Sequence, residues 1–123
     1  MNAMEIGTQL VNLCNAGKDE DAVTQFYSPA IVSIEGQGTE EMPARIEGLE
    51  AVRAKAQWWY ANNTVHSTSA SGPYLGAAAD QFLVRFEMDI TPKDGERMQM
   101  DEVAVYRVAD DKIVEEAFYY QMG

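Results

Sequence analysis

The stretch from Asp80 to Met122 constrains the fold more than any other part of the chain. Phe82, Val84, Phe86, Met88 and Ile90 alternate with Gln81, Arg85, Glu87 and Asp89. Successive side chains of a strand point to opposite faces, so a period of two marks a strand with one buried side. A helix would scatter the same residues around its circumference. Pro92-Lys93-Asp94-Gly95 reads as a turn, because proline fixes φ and glycine accepts positive φ. A second strand is predicted from Glu96 to Val108. One of its faces carries Met98, Met100, Glu102, Ala104 and Tyr106, and the other Arg97, Gln99, Asp101, Val103, Val105 and Arg107. Ala109-Asp110-Asp111 turns the chain into a third strand, Lys112 to Met122. There Val114, Glu116, Phe118, Tyr120 and Met122 oppose Ile113, Glu115, Ala117, Tyr119 and Gln121. Neither face of this third strand is polar throughout, which implies cover on both sides. A helix-filled interior would cover one, and a subunit interface could cover the other.

The residues before this run read mostly as helices. Ala3, Ile6, Leu10 and Leu13 share one helical face over residues 2–16, and Gly17 stands where a C-terminal cap belongs. A short helix follows from Asp19 to Tyr27, with Asp19 as N-cap, Val23, Phe26 and Tyr27 as its buried stripe, and Ser28-Pro29 as its end. Ala30 to Glu35 is short and β-branched and reads as a strand. Residues 36–44 read as a loop, and Arg45 to Glu47 as a brief returning strand. The longest helix is predicted from Gly48 to Asn62, on the spacing of Leu49, Val52, Ala56, Trp59 and Tyr60. Thr64 to Ala70 is another strand, broken at Gly72-Pro73; Tyr74 to Ala79 is loop, or strand continuing past a kink. Helices first and antiparallel strands after make an α+β domain, with helices packed on one side of a sheet.

The 123 residues suggest a single domain spanning 1–123. A net charge of −11 excludes nucleic acid, since phosphate backbones demand clustered Lys and Arg. No run approaches the roughly 20 apolar residues of a membrane span, so no membrane partner is expected. The opening MNAMEIGTQL lacks a basic region and a long apolar core, so no signal peptide is expected. Cys14 is the single cysteine. It permits no internal disulfide and fits a reducing compartment, so a cytoplasmic location is expected. Its small apolar character suits burial beside the first helical stripe. Scattered acids with one histidine and one cysteine give no metal-ligand pattern, and no cofactor is expected.

Particular words in this order of elements resemble the nuclear transport factor 2-like superfamily, and within it the SnoaL-like group. They are NAGKDEDAVTQFYSPAIVSIEG near the start, IEGLEAVRAK at the long helix and EVAVYRVADDKIVEEAFYY at the end. The resemblance covers nearly the whole chain. It implies a cone in which a strongly bent antiparallel sheet wraps the helices and leaves a deep apolar cavity (a cystatin-like arrangement). It also implies a homodimer formed through the outer sheet face. The superfamily spans isomerases, dehydratases, epoxide hydrolases, polyketide cyclases and non-catalytic binders, so fold alone does not select an activity.

On that cone, Phe82, Val84, Phe86 and Met88 point inward from the first strand of the C-terminal run. Met98, Met100, Glu102, Ala104 and Tyr106 do so from the second, and Glu116, Phe118 and Tyr120 from the third. The expected ligand is a small apolar or amphipathic molecule, bound by Tyr106, Phe118, Tyr120, Met100, Phe86 and Trp58. Trp59 is expected in the core, and Trp58 or Tyr60 at the cavity or the interface. Glu102 and Glu116 are the candidate acid–base groups, since burial without a counter-charge raises a carboxyl pKa. The bland alternative places either at the rim, paired with Arg85, Arg45 or Arg53. The catalytic base of isomerase relatives falls on Ile34 or Glu35, which makes Glu35 a candidate; otherwise it is a loop carboxylate in water. His66, on a strand bordering the pocket mouth, is a candidate general base or else an ordinary hydrogen-bonded histidine. The tyrosine and protonated aspartate of the isomerase mechanism fall on Leu10 and Ala104, which disfavours that mechanism. Two functions stay open: a cofactor-free acid–base enzyme of the isomerase, dehydratase or cyclase kind, and a non-catalytic ligand-binding or dimerisation domain.

Overall fold

The computed structural model describes residues 1–36 and 43–120. The loop expected over 36–44 therefore falls largely outside the described residues, as do Gln121 and Met122 of the last strand. The elements run α1 (Ala3–Asn15), α2 (Asp19–Phe26), β1 (Tyr27–Ile34), β2 (Arg45–Glu47), α3 (Leu49–Asn62), β3 (Asn63–Leu75), β4 (Gln81–Pro92), β5 (Met98–Ala109) and β6 (Lys112–Tyr119).

The chain enters α1 through a capping box, in which Asn2 and Glu5 satisfy each other's backbone amides. It leaves through a paired C-terminal motif. The Lys18 amide donates to the Leu13 carbonyl at 2.8 Å and the Gly17 amide to Cys14 at 3.1 Å. Gly17 has a φ of +73°, which glycine adopts without a steric penalty. Ala3, Ile6, Leu10 and Val11 are buried against β3 and β4. The approach is close: a Cβ added at Gly7 would lie 2.8 Å from both the Phe82 ring and Pro73. Asn15, at the end of α1, holds the β3 backbone by a reciprocal pair of bonds. Its amide donates to the Ala70 carbonyl at 2.9 Å, and its carbonyl accepts from the Ala70 amide at 2.8 Å.

The six strands form one sheet in the order β2-β1-β6-β5-β4-β3. The β3–β4, β4–β5 and β5–β6 pairs are antiparallel, as the alternation predicts, while β1 lies parallel to β6. Sequence patterning alone led to an antiparallel expectation throughout; the long crossover that a parallel pair requires is supplied here by everything between β1 and β6. The β5–β6 turn places Asp110 and Asp111 at φ of 52° and 62°, a left-handed pair that matches the twist of a two-residue hairpin.

Local structure departs from expectation in three places, at the start of α2, at Tyr27 and at Ile113. The N-cap of α2 is Lys18, with no side-chain bond, and Asp19 is the first helical residue. Tyr27 is extended, at φ −79° and ψ 135°, and opens β1 instead of closing the helix; Pro29 two residues on favours extended backbone before it. β3 follows the alternative of a strand continuing past a kink, running through Gly72-Pro73 to Leu75 with a shift of register between Ser71 and Tyr74. Ile113 is fully buried in the core and does not sit on the outer face with Tyr119. The β5–β6 register shifts between Arg107 and Val108, and such a bulge reverses which face the following residues meet.

Candidate functional site

The register builds the inner wall row by row. Ser33 of β1 pairs with Glu116 of β6, Glu116 with Tyr106 of β5, and Tyr106 with Phe82 of β4. The Phe82 and Tyr106 rings stack at 4.9 Å. A second row sets Glu102 beside Phe86 and Phe86 beside Ala70. Above this wall α1, α2 and α3 close over a cavity of about 400 Å³.

Its polar groups form a chain from the rim to the interior. Lys55 reaches from α3 and donates to Glu35 Oε1 at 2.7 Å and to Ser33 Oγ at 2.6 Å. Ser33 donates to Glu116 Oε1 at 2.9 Å, and Tyr27 donates to Glu116 Oε2. The Tyr106 hydroxyl meets that of Tyr27. Glu116 is 3% exposed and Ser33 0%. Burial raises the Glu116 pKa, against the opposing pull of Lys55, Tyr27 and Ser33. Burial likewise holds the Tyr27 and Tyr106 phenols well above their usual range, so both are neutral donors.

Glu102 stands apart from this chain. It lines the cavity and takes no hydrogen bond from the described residues. Desolvation, with repulsion from Glu35 and Glu116, pushes its pKa up to about 7 even though Lys55 pulls the other way. A carboxyl poised near neutrality can accept and return a proton.

The remaining candidates divide. Glu35, Phe86, Met100, Tyr106, Phe118, Tyr120 and Trp58 all line the cavity with the two glutamates. His66 does not. It is exposed on β3, and its Nε2 lies 2.7 Å from Thr91 Oγ1. The β3–β4 register shifts between Val65 and Ser67, so Val65, Thr68 and Ala70 face the cavity and the histidine is turned away. Met98 is exposed at the start of β5 and does not point into the interior. Trp59 is not core but half-buried on the cavity wall, its ring edge-on to Tyr60 at 5.2 Å. The arginines considered as partners of the glutamates are engaged elsewhere: Arg85 with Asp101, Arg45 with Glu47 and Arg53 with Glu20.

Three contributors were not singled out from sequence: Tyr27, Ser33 and Lys55. Lys55 carries a usable signal, since it lies three residues after Val52 and four before Trp59, on the same helical face. Cys14 also lines the cavity, its thiol pushed up to about 12 by burial, and is not a nucleophile there. Among the described residues no group of His, Cys, Asp and Glu side chains could hold a metal. No helix among them is long and apolar enough to cross a membrane.

A family model described as SnoaL-like domain matches residues 1–120. A structure from Mesorhizobium loti, described as a candidate SnoaL-like polyketide cyclase [carbohydrate phosphatase], is 41% identical to this chain. It superposes with a TM-score of 0.89, over 98% of this chain and 100% of its own. A candidate isomerase from Bacillus subtilis is 18% identical, with a TM-score of 0.74 over 97% of this chain and 86% of its own. A Xanthomonas campestris protein with a cystatin-like fold is 17% identical, with a TM-score of 0.77 over 99% and 92%. The last two share the fold. No curated protein matches the sequence.

Proposed function

The chain belongs to the SnoaL-like domain family, and from that premise we propose that its cavity binds a small apolar or amphipathic molecule and carries out acid–base chemistry on it without a cofactor. The observation that carries this reading is a carboxyl, Glu102, left without a hydrogen-bond donor among the described residues, in an apolar-walled cavity beside the Lys55–Glu35 pair. Glu102 is the proton acceptor and donor. Lys55 has three N–H groups and spends two on Ser33 and Glu35, which leaves one for negative charge developing on a bound oxygen. Glu116, Tyr27 and Ser33 hold Lys55 in place and keep the back of the cavity neutral or singly charged. The reaction class is isomerisation, dehydration or cyclisation. The names carried by the Mesorhizobium loti and Bacillus subtilis proteins support that class. The ketosteroid isomerase arrangement is disfavoured, since Leu10 lines the cavity and Ala104 is 0% exposed where its two donors would stand.

One observation favours a second reading, a binding domain without turnover. Most of the donors are engaged internally: Tyr27 bonds Glu116, and two of the three Lys55 N–H groups go to Ser33 and Glu35. The expected homodimer belongs to either reading. Val103 and Val105, paired with Tyr119 and Ala117, lie on the outer sheet face available for it, and sedimentation velocity tests it.

The discriminating experiment isolates the co-purifying ligand from a cell extract by mass spectrometry. Exchange of its carbon-bound protons with D2O is then followed by NMR. Enzyme-dependent exchange that disappears in Glu102→Gln, measured at ligand concentrations that saturate the variant, is the expected result. Binding without exchange in the parent protein selects the second reading, and exchange that persists in Glu102→Gln removes Glu102 from the mechanism.

A further inference from the structure

We propose that the molecule this cavity takes carries one positive charge: an amphipathic ammonium compound whose cationic head seats against Glu102 and whose apolar tail fills the remaining volume. The inference rests on the reading of the cavity as a small-molecule site and adds the chemical class of its occupant. Among the described residues four carboxylates line the cavity, Asp19, Glu35, Glu102 and Glu116, against one cation, Lys55. Three of the four are already served. Asp19 accepts from the Tyr60 hydroxyl at 3.2 Å, Glu35 from Lys55, and Glu116 from Tyr27 and Ser33. Glu102 is the one left over.

A neutral apolar occupant would strip the remaining water from Glu102 and return nothing, a cost that buried polar groups do not bear without a partner. An anionic occupant would add to the repulsion among Glu35, Glu102 and Glu116. A cation removes both penalties. The wall around Glu102 suits such a head group, for the face of an aromatic ring attracts a desolvated cation. The cavity already shows the contact once: Lys55 Nζ lies 4.8 Å over the centre of the Phe118 ring. Phe86, the register partner of Glu102, presents a second ring beside it. The apolar residues Val52, Val65 and Met88 line the space left for a tail.

The titratable groups facing Glu102 are Glu35 just after β1, Lys55 on α3, Glu116 on β6 and Tyr106 on β5. Asp19 on α2, the neutral thiol of Cys14 on α1 and the phenols of Tyr27, Tyr60 and Tyr120 also line the cavity. Ionisation of Glu102 is the change that the test isolates between pH 6 and 8: pushed up to about 7, the group goes from about one-tenth to nine-tenths ionised over that range, and Glu102→Gln separates it from Glu116, whose pKa burial also raises.

The test uses the full chain and three probes: the choline cation, its neutral carbon isostere (the alcohol in which a tert-butyl group replaces the trimethylammonium), and acetophenone as a neutral hydrogen-bond acceptor. Affinities are measured by isothermal titration calorimetry at pH 6 and 8, on the parent protein and on Glu102→Gln and Glu102→Asp. The expected result is choline binding at least tenfold tighter than its isostere at pH 8. That binding weakens about tenfold at pH 6, weakens at least as much in Glu102→Gln and is partly restored in Glu102→Asp, while circular dichroism shows both variants folded. Equal binding of choline and its isostere overturns the inference, as does choline binding that ignores Glu102→Gln. Acetophenone binding that strengthens at pH 6 while choline does not bind also overturns it, because Glu102 then donates a proton to a neutral acceptor, and the small-molecule reading survives. Failure of every probe and of the extract-derived ligand to bind overturns both.

Discussion

Replacing Glu102 by glutamine should flatten the dependence of stability on pH. Burial pushes the wild-type carboxyl up to about 7 in the folded protein, from an ordinary value of 4.5. A raised carboxyl pKa means that the folded state holds its proton more tightly than the unfolded chain does. The stabilising contribution is therefore complete below pH 4.5 and is lost as pH rises through 7. At about 1.4 kcal/mol per pKa unit, a rise to about 7 from 4.5 corresponds to about 3 kcal/mol between those limits. Glutamine keeps the shape of the side chain and cannot ionise. The difference in unfolding free energy between pH 5 and pH 8 should accordingly shrink by about 2–3 kcal/mol in Glu102→Gln, with the variant gaining on the wild type at pH 8. Urea denaturation followed by tryptophan fluorescence at the two pH values measures this directly, since a change in midpoint at constant slope is a change in stability. Lys55→Met supplies a control of opposite sign: Lys55 lowers the Glu102 pKa, so its removal should move the titration to higher pH. Wild type and Glu102→Gln with the same pH 5-to-8 difference, within about 0.5 kcal/mol, would refute the assignment of a desolvated carboxyl without a donor among the described residues.

Gly7→Ala should cost about 1–3 kcal/mol by overpacking, because the new methyl would lie 2.8 Å from the Phe82 ring and Pro73; thermal melting of purified variants checks it. Tyr27→Phe removes one of the two donors that Glu116 has in the interior and should cost about 1.5–3 kcal/mol, with the Glu116 pKa rising further. A Tyr27→Phe/Glu116→Gln double-mutant cycle isolates that coupling, and additivity of the two changes would contradict it. Cys14, held near 12, should react with iodoacetamide at pH 8 far more slowly than a free thiol, at a rate set by opening of the fold; alkylation as fast as that of an unfolded control would show the thiol to be accessible.

The parts of this molecule that sequence reveals are those governed by near neighbours. Alternation grouped Phe86 on one face of its strand, Met100 with Glu102, and Phe118 with Tyr120, because a strand's period of two needs no tertiary information, and the family resemblance chose those faces as the inner ones. What it could not reveal depended on register or on distant partners. His66 and Ile113 were misplaced by bulges, each of which flips the pattern downstream without leaving a mark in composition. Tyr27 passed for the last residue of a helix, so its phenol was not considered near a glutamate 89 residues away. Lys55 drew no attention in the sequence, where only its spacing to Val52 and Trp59 hints at its direction. The identity of the counter-charge in the site was therefore hidden even though the carboxylates themselves were not.

The parallel pairing of β1 with β6 also bears on how the protein is made. β6 lies between β1 and β5 in the sheet, so the first strand to leave the ribosome finds its inner neighbour only after the rest of the domain has been synthesised. Until then β1 and β5 both present unpaired edges, and a chain stalled before Lys112 would lack the seam that joins the two halves of the sheet. Because Glu116 rides on that seam, nascent chains should gain protease resistance and the cavity's acidic floor together, in a single late event.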